Sequence, residues 1–225
     1  PGYDFVSSKA SSNDGDGWDA DPSDPGDYYT DAKGNFVESS WHGTHVAGII
    51  AASANTIGIT GVAPNIKIQP VRAMGTDGGS SADLIAAINW AAGLQVPGVP
   101  LNPTPAKVIN MSMGTSGISL CDDIPAAGRL GSTGEALKAV KAAGVTSITA
   151  AGNFNTDARY SYPGNCYPTI NVGATGVTGD IAYYSNFGPG VDFSAPGGDS
   201  RLSSQAVTGS DGMILSTWNL GTTVQ

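Results

Sequence analysis

What most constrains this chain is an alternation. Short apolar segments suited to strands take turns with segments of helical period, and glycine-rich turns separate them. Residues 66–74 (IKIQPVRAM), 107–112 (KVINMS), 145–151 and 169–175 each predict a strand, because β-branched and apolar residues dominate them. Residues 80–92 predict a helix: Ser80 and Asp83 stand three apart as a cap, Leu84, Ile88 and Ala91 share a face, and Gly93 is a stop. Ser132 and Glu135 form a second capping box ahead of Leu137 and Val140, with Gly144 as its stop, and Val46 to Ala52 form another helical apolar run. Strand–helix–strand alternation of this kind predicts an α/β fold, a mostly parallel sheet with helices on both faces. In such sheets sites form at the carboxyl ends of the strands. Three glycine-rich stretches lie there: Met74–Gly79, Ser112–Gly117 and Ala150–Asn155. No repeat of fixed period runs through the chain.

Composition narrows the function classes. The chain has 225 residues, 40% of them hydrophobic and only 13% charged, with 32 glycines and 14 prolines. That excludes a disordered acidic tail and a coiled coil, and the length suffices for one large core. The net charge is −9, and residues 1–38 carry nine of the acids and only two bases, Lys9 and Lys33. Phosphate recognition needs a basic face, so no nucleic-acid partner is expected. No apolar run is long enough to span a bilayer, so no membrane partner is expected either. Residues 7–40, rich in Gly, Asp and Pro and without apolar period, predict a long ordered loop or an insertion. The start at Pro1, without an initiator methionine, predicts that something preceded it.

Three motifs carry chemistry. The first is Trp41-His42-Gly43-Thr44-His45-Val46-Ala47-Gly48, which holds the two histidines of the chain, three apart at the start of a helix. One bland reading is a capped helix with a packed histidine. A zinc site would want a third ligand and the spacing and glutamate of H-E-x-x-H, which this motif lacks. The remaining reading is a general base. The second motif is a strand ending in Ala150-Ala151-Gly152-Asn153: an asparagine amide is a neutral donor, and glycine lets a substrate approach the backbone, which is one way to build an oxyanion hole. An Asn-containing turn is the alternative. The third is Val108-Ile109-Asn110-Met111-Ser112-Met113-Gly114, whose small residues close a buried strand and can line a pocket.

Taken together, these motifs resemble the subtilisin-like serine proteases, the subtilases of peptidase family S8, and among them secreted bacterial extracellular proteases. The resemblance runs over nearly the whole chain from Tyr3 onward. It implies a subtilisin-like three-layer α/β fold and a serine endopeptidase that hydrolyses peptide bonds in proteins through a Ser/His/Asp triad. It implies that His42 is the general base and Asn153 the oxyanion donor. Ser112, Met113 and Gly114, with Ala151 and Gly152, would line the specificity pocket, and Gly78-Gly79-Ser80 would pair with the substrate backbone as an added strand. Ser161 would lie at the far end of the pocket, its small side chain leaving room for a large apolar substrate residue. The Tyr162–Pro163 bond would be cis.

The resemblance also exposes a departure. The family's aspartate motif and its Gly-Thr-Ser-Met-Ala-x-Pro nucleophile motif have no match in these residues; Gly221-Thr222-Thr223 lacks the continuation. The expectation is that residues 1–225 are the middle portion of a single catalytic domain, with 7–40 as an acidic insertion. The chain alone would then hold the histidine and the oxyanion asparagine but no peptidase activity. An alternative reading is a non-catalytic relative that binds peptides or calcium. The expected partners are a protein or peptide substrate and, in the full-length precursor, a propeptide, for a secreted monomer.

Structural calcium is the expected cofactor, at two places. Asp14, Asp16, Asp19 and Asp21 stand at near-alternating positions with glycine between, a spacing that either wraps one ion or forms a solvated loop. Ser53 to Ile59 resembles the family's calcium loop, implying Asn55, Ile57 and Ile59 as ligands. The two cysteines, Cys121 and Cys166, are compatible with one bridge or two thiols; the resemblance to a secreted family implies the bridge.

Overall fold

The computed structural model describes residues 1–115, 120–121, 132–202 and 212–221. The chain divides into two compact units, Pro1–Ala87 with Leu215–Gln225, and Ile88–Ile214.

In the first unit, strand β1 (Tyr3–Asp4) leads into a single helical turn, α1 (Lys9–Ser12). A small antiparallel hairpin follows, β2 (Tyr29–Thr30) with β3 (Phe36–Val37), then helix α2 (His42–Ala51) and strand β4 (Val71–Arg72). β1 and β4 pair in parallel, Tyr3 with Val71 and Asp4 with Arg72. The strand expected over 66–74 is thus reduced to two residues, and Ile66 and Ile68 are exposed. A strand exists only where a partner supplies its ladder, and β1 offers only two residues; Pro70, just before, has no N–H to give. Residues 7–40, for which the sequence predicts a long ordered loop or an insertion, contain α1 and the hairpin. Local carboxylates organise this segment: Asp31 accepts from the backbone N–H of Lys33 and of Asn35, both at 2.8 Å, which closes the hairpin turn.

One cation gathers three carboxylates of the acidic segment, Asp4, Asp14 and, at 3.8 Å, Asp24. The Arg72 guanidinium is buried and reaches Asp4 at 2.6 Å, Asp14 at 2.5 Å and the carbonyl of Ser12. Burial pushes the Asp4 carboxyl up, although the Val6 N–H and Arg72 pull against it.

Helix α3 (Ser81–Ala91) has the expected cap, with Ser80 Oγ accepting from Asp83 N at 3.0 Å, and Leu84, Ile88 and Ala91 are all buried. Asp83 itself is buried in the first turn and accepts from Ser7 Oγ and Trp18 Nε1, both at 2.9 Å, tying the acidic segment to the helix.

The second unit holds a four-stranded all-parallel sheet of β5 (Val108–Met111), β6 (Thr146–Ala150), β7 (Thr169–Thr175) and β8 (Phe193–Pro196), in that spatial order. The first three lie where the apolar runs predict them; β8 carries too little apolar signal in Phe-Ser-Ala-Pro to be read. Helix α4 (Thr133–Ala142) connects β5 to β6 and packs on β6. Its capping box is reciprocal: Glu135 N donates to Ser132 Oγ at 3.2 Å and Ser132 N donates to the Glu135 carboxylate at 3.3 Å. Val140 packs with Ala92 and Val145, beside Leu94 and Ile109. After Ala143 the chain turns at Gly144 with φ +81°, a conformation that favours glycine, as the stop signal predicts.

Candidate active site

His42 is the first residue of α2. The residue before it, Trp41, sits in the left-handed region with φ 46° and is buried, its indole N–H donating to the carbonyl of Gly221 at 2.6 Å. A bulky residue in that conformation is strained and persists only where its surroundings hold it. The buried indole and its hydrogen bond provide that hold, which sets where α2 begins and so where His42 points. The His42 backbone N–H meets Ser40 Oγ at 3.4 Å, and Ser40 is held in turn by Asp27, at 2.6 Å through its N–H and 2.7 Å through its hydroxyl. The His42 side chain is exposed.

The two histidines differ in surroundings. His45 is half-buried, with its ring edge-on to Trp218 at 6.0 Å, while Ser216 Oγ donates to the His45 carbonyl at 2.6 Å and Thr217 Oγ1 to that of Thr44 at 2.7 Å. Gly48 makes this approach possible: a Cβ there would lie 2.2 Å from Thr217 Oγ1 and 2.3 Å from Ser216 Oγ. One histidine therefore belongs to the packing of α2 and the other is open for chemistry.

Gly78 closes a tight turn with Gly75, the two exchanging backbone hydrogen bonds of 2.9 and 3.1 Å, with φ +88° at Gly78. Gly79 leaves no room for a side chain, since a Cβ would meet the Ala73 carbonyl at 2.3 Å. Ser80 follows as the cap of α3.

The second unit gathers the other candidates at the carboxyl ends of β5 and β6. Ser112, Met113 and Gly114 leave β5, with Ser112 Oγ accepting from Asn110 at 3.0 Å. The next residue, Thr115, donates through its N–H to the Tyr162 carbonyl at 3.0 Å, so this strip runs beside Ser161 and Tyr162. Ala151 is buried, Gly152 turns with φ +106°, and Asn153 is exposed. A Cβ on Gly152 would lie 2.6 Å from Ser161 Oγ, and one on Gly114 3.8 Å from the same atom. Gly114, Gly152 and Ser161 thus meet at one point, although the sequence separates them by up to 47 residues. Ser161 is 2% exposed and its hydroxyl has no partner among the described residues. The Tyr162–Pro163 bond is cis, and so is Tyr167–Pro168, which the sequence reading did not anticipate. Cys121 and Cys166 are bridged, with Cα atoms 5.1 Å apart.

One residue at this end of the sheet escaped the sequence reading. Asn186 is 2% exposed, and its side chain donates to the Ala151 carbonyl at 2.8 Å while accepting from Phe154 N at 2.9 Å and Thr156 N at 3.2 Å. Its own N–H donates to the Gly152 carbonyl at 2.9 Å. Its only trace in the sequence is a polar pair, Ser185-Asn186, in an aromatic and glycine-rich stretch.

In the acidic loop the carboxylates are engaged locally. Asp14 spends one oxygen on Arg72 and the other on Asp16 N, Asp19 accepts from Asp21 N at 2.6 Å, and Asp21 accepts from Ser23 N at 3.1 Å. Desolvation, followed by the charges of Asp19 and Asp14, raises the Asp16 carboxyl above its usual range. Among the described residues no three His, Cys, Asp or Glu side chains are gathered as a metal cage. As folded here, Arg72 and backbone N–H groups hold Asp14, Asp19 and Asp21 apart from one another's oxygens. The second place differs: Asn55 Oδ1 accepts from Ile57 N at 2.8 Å, curving the loop, and Asn55, Ile57 and Ile59 line a cavity of about 520 Å³ with Ser53, Ser216 and Thr217. Amide, carbonyl and hydroxyl oxygens are hard donors of the kind calcium takes.

Comparison with known proteins agrees across sequence and structure. The Subtilase family (peptidase S8) matches residues 8–223. The chain is 42% identical to an extracellular protease of Xanthomonas campestris, over 99% of this chain and 35% of that one. It is 37% identical to an extracellular basic protease of Dichelobacter nodosus, over 98% and 36%. A solved protease from Pseudoalteromonas arctica superposes on all of this chain with a TM-score of 0.87 at 40% identity, and 63% of that chain is covered. The chain thus spans about a third of the length of the curated relatives it matches.

Proposed function

The chain belongs to the subtilase family, and from that premise we propose that it forms part of a serine endopeptidase, supplying the general base and the oxyanion donor. His42 takes the proton from a serine hydroxyl as it attacks the scissile carbonyl, then returns it to the leaving amine. The serine and the aspartate that orients His42 come from other parts of the full-length protein. Asn153 donates its side-chain amide to the oxygen that becomes negative in the tetrahedral intermediate. Ser112 to Gly114, with Ala151 and Gly152, hold the substrate side chain before the scissile bond. Gly78 to Ser80 offer backbone to its main chain.

The observation that carries this reading is the loop after β6: Gly152 turns with φ +106°, the backbone on both sides of Asn153 is hydrogen-bonded, and the Asn153 side chain remains exposed. A donor on a fixed backbone, pointing to solvent at the carboxyl end of a parallel strand, is preorganised for an anion that forms only during reaction. In the full-length protein, Asn153→Ala lowers kcat by about 10²–10³-fold with KM little changed. Steady-state kinetics on a peptide amide measures this. An unchanged kcat overturns the proposal.

Secretion fits the bridged cysteine pair and the extracellular relatives. Among the described residues no helix is long and apolar enough to cross a membrane. For calcium, the proposal keeps the loop of Asn55, Ile57 and Ile59, completed by oxygens from elsewhere in the full-length protein. At calcium a hundredfold above its Kd, chelation lowers Tm by about 5–10 °C. Asn55→Ala abolishes the difference between calcium and chelator, measured by calorimetry; a Tm indifferent to chelator in the unmodified protein refutes the site.

A further inference from the structure

We propose that Asn186 is the positioning residue of the oxyanion donor, an inference that rests on the role given to Asn153 above. Asn153 is exposed and, among the described residues, makes no hydrogen bond of its own, so nothing aims it except its backbone. That backbone is held from one side by one residue. The Asn186 amide and its own N–H bind the carbonyls of Ala151 and Gly152 and the N–H groups of Phe154 and Thr156, two contacts before position 153 and two after it. Gly152 completes the clamp: a Cβ there would lie 2.4 Å from Asn186 Nδ2, so the glycine is needed for the asparagine to reach.

Asn186 is itself anchored. Ser185 Oγ donates to the Asn186 carbonyl at 2.9 Å and accepts from Ala174 N at 2.9 Å, which ties the clamp to β7. β7 is also the neighbour of β6, with Ala151 N donating to the Val172 carbonyl at 2.9 Å. The donor loop is therefore referenced to the sheet by two routes, one through its own strand and one through Asn186. A carboxamide is suited to this task because it offers a donor and an acceptor on one rigid plane, and the loop presents carbonyls before Asn153 and N–H groups after it. Rigid support of this kind matters because a misplacement of about 1 Å at a catalytic group costs about 100-fold.

The test is a double-mutant cycle in the full-length protein, with kcat and KM on a short peptide amide and Tm by calorimetry. Asn186→Ala is expected to lower kcat by about 10- to 100-fold with KM shifting less than about threefold. In the Asn153→Ala background the same change is expected to cost less than about threefold, because the group it positions is gone. Asn186→Asp, which retains the acceptor for Phe154 and Thr156 at nearly the same volume, carries the cycle if the alanine variant fails to fold, with the same expected pattern. An equal loss of kcat in both backgrounds overturns the proposal, since it would mark general damage to the fold. A loss confined to KM, or a lowered Tm with unchanged kcat, overturns it as well. If Asn153→Ala alone leaves kcat unchanged, the failure lies in the oxyanion role on which the proposal rests.

Discussion

Replacing His42 by alanine in the full-length protein lowers kcat by about 10⁵–10⁶-fold, while KM and Tm stay close to their original values. The size follows from the role. A serine hydroxyl is a poor nucleophile until a base takes its proton, and the same base must then deliver that proton to the leaving amine. Losing it removes two steps at once, and the residual rate comes from binding and the oxyanion donor. Stability is spared because the His42 side chain is exposed and the helix start is held elsewhere, by Trp41 and by the Asp27–Ser40 pair. His45→Ala provides the contrast. Its ring packs against Trp218, so its loss is expected in Tm, with kcat changed far less. A His42→Ala enzyme with more than a tenth of the original kcat would remove His42 from the mechanism. The 225-residue chain by itself is expected to show no peptidase activity that His42→Ala abolishes.

Removal of the Cys121–Cys166 bridge is the second large effect, and it falls on stability. The bridge closes a span of 45 residues, which includes α4, β6 and the loop carrying Asn153. In the chain-entropy account such a closure restricts the unfolded chain by about 4 kcal/mol. In a folding unit of about 150–250 residues that corresponds to a loss of about 8–16 °C in Tm, and less in proportion as the cooperative unit of the full-length protein is larger. The double variant Cys121→Ser with Cys166→Ser, compared with the full-length parent by calorimetry, measures it; an unchanged Tm would show that the bridge does not stabilise. Both cysteines are buried, so each serine is a near-isosteric replacement and the readout is the lost link more than lost packing.

Local codes were legible without coordinates. The Ser132–Glu135 box, the Ser80 cap and the Gly144 stop act within a few residues, and each recurs in the structure as read. Strands β5, β6 and β7 were legible too, because each lies in a short run of β-branched and apolar residues between turn signals. Strand 66–74 failed because a strand is a property of two segments, and its composition says nothing about how much partner it finds. The Asp14–Asp21 spacing was incomplete for a related reason. The spacing gives no hint that one of the four, Asp14, is held by Arg72, 58 residues away in sequence.

The fold class and the family were readable from the amino-acid order alone, as were the motifs holding His42 and Asn153, because strand period, helix caps and contiguous motifs are local. The assembled fold alone shows which of two histidines is packed and which is exposed, that Gly114, Gly152 and Ser161 meet, and that Asn186 holds the backbone around Asn153. Those facts depend on hydrogen bonds and contacts between residues far apart in the chain, whose partners are fixed only when the sheet is assembled.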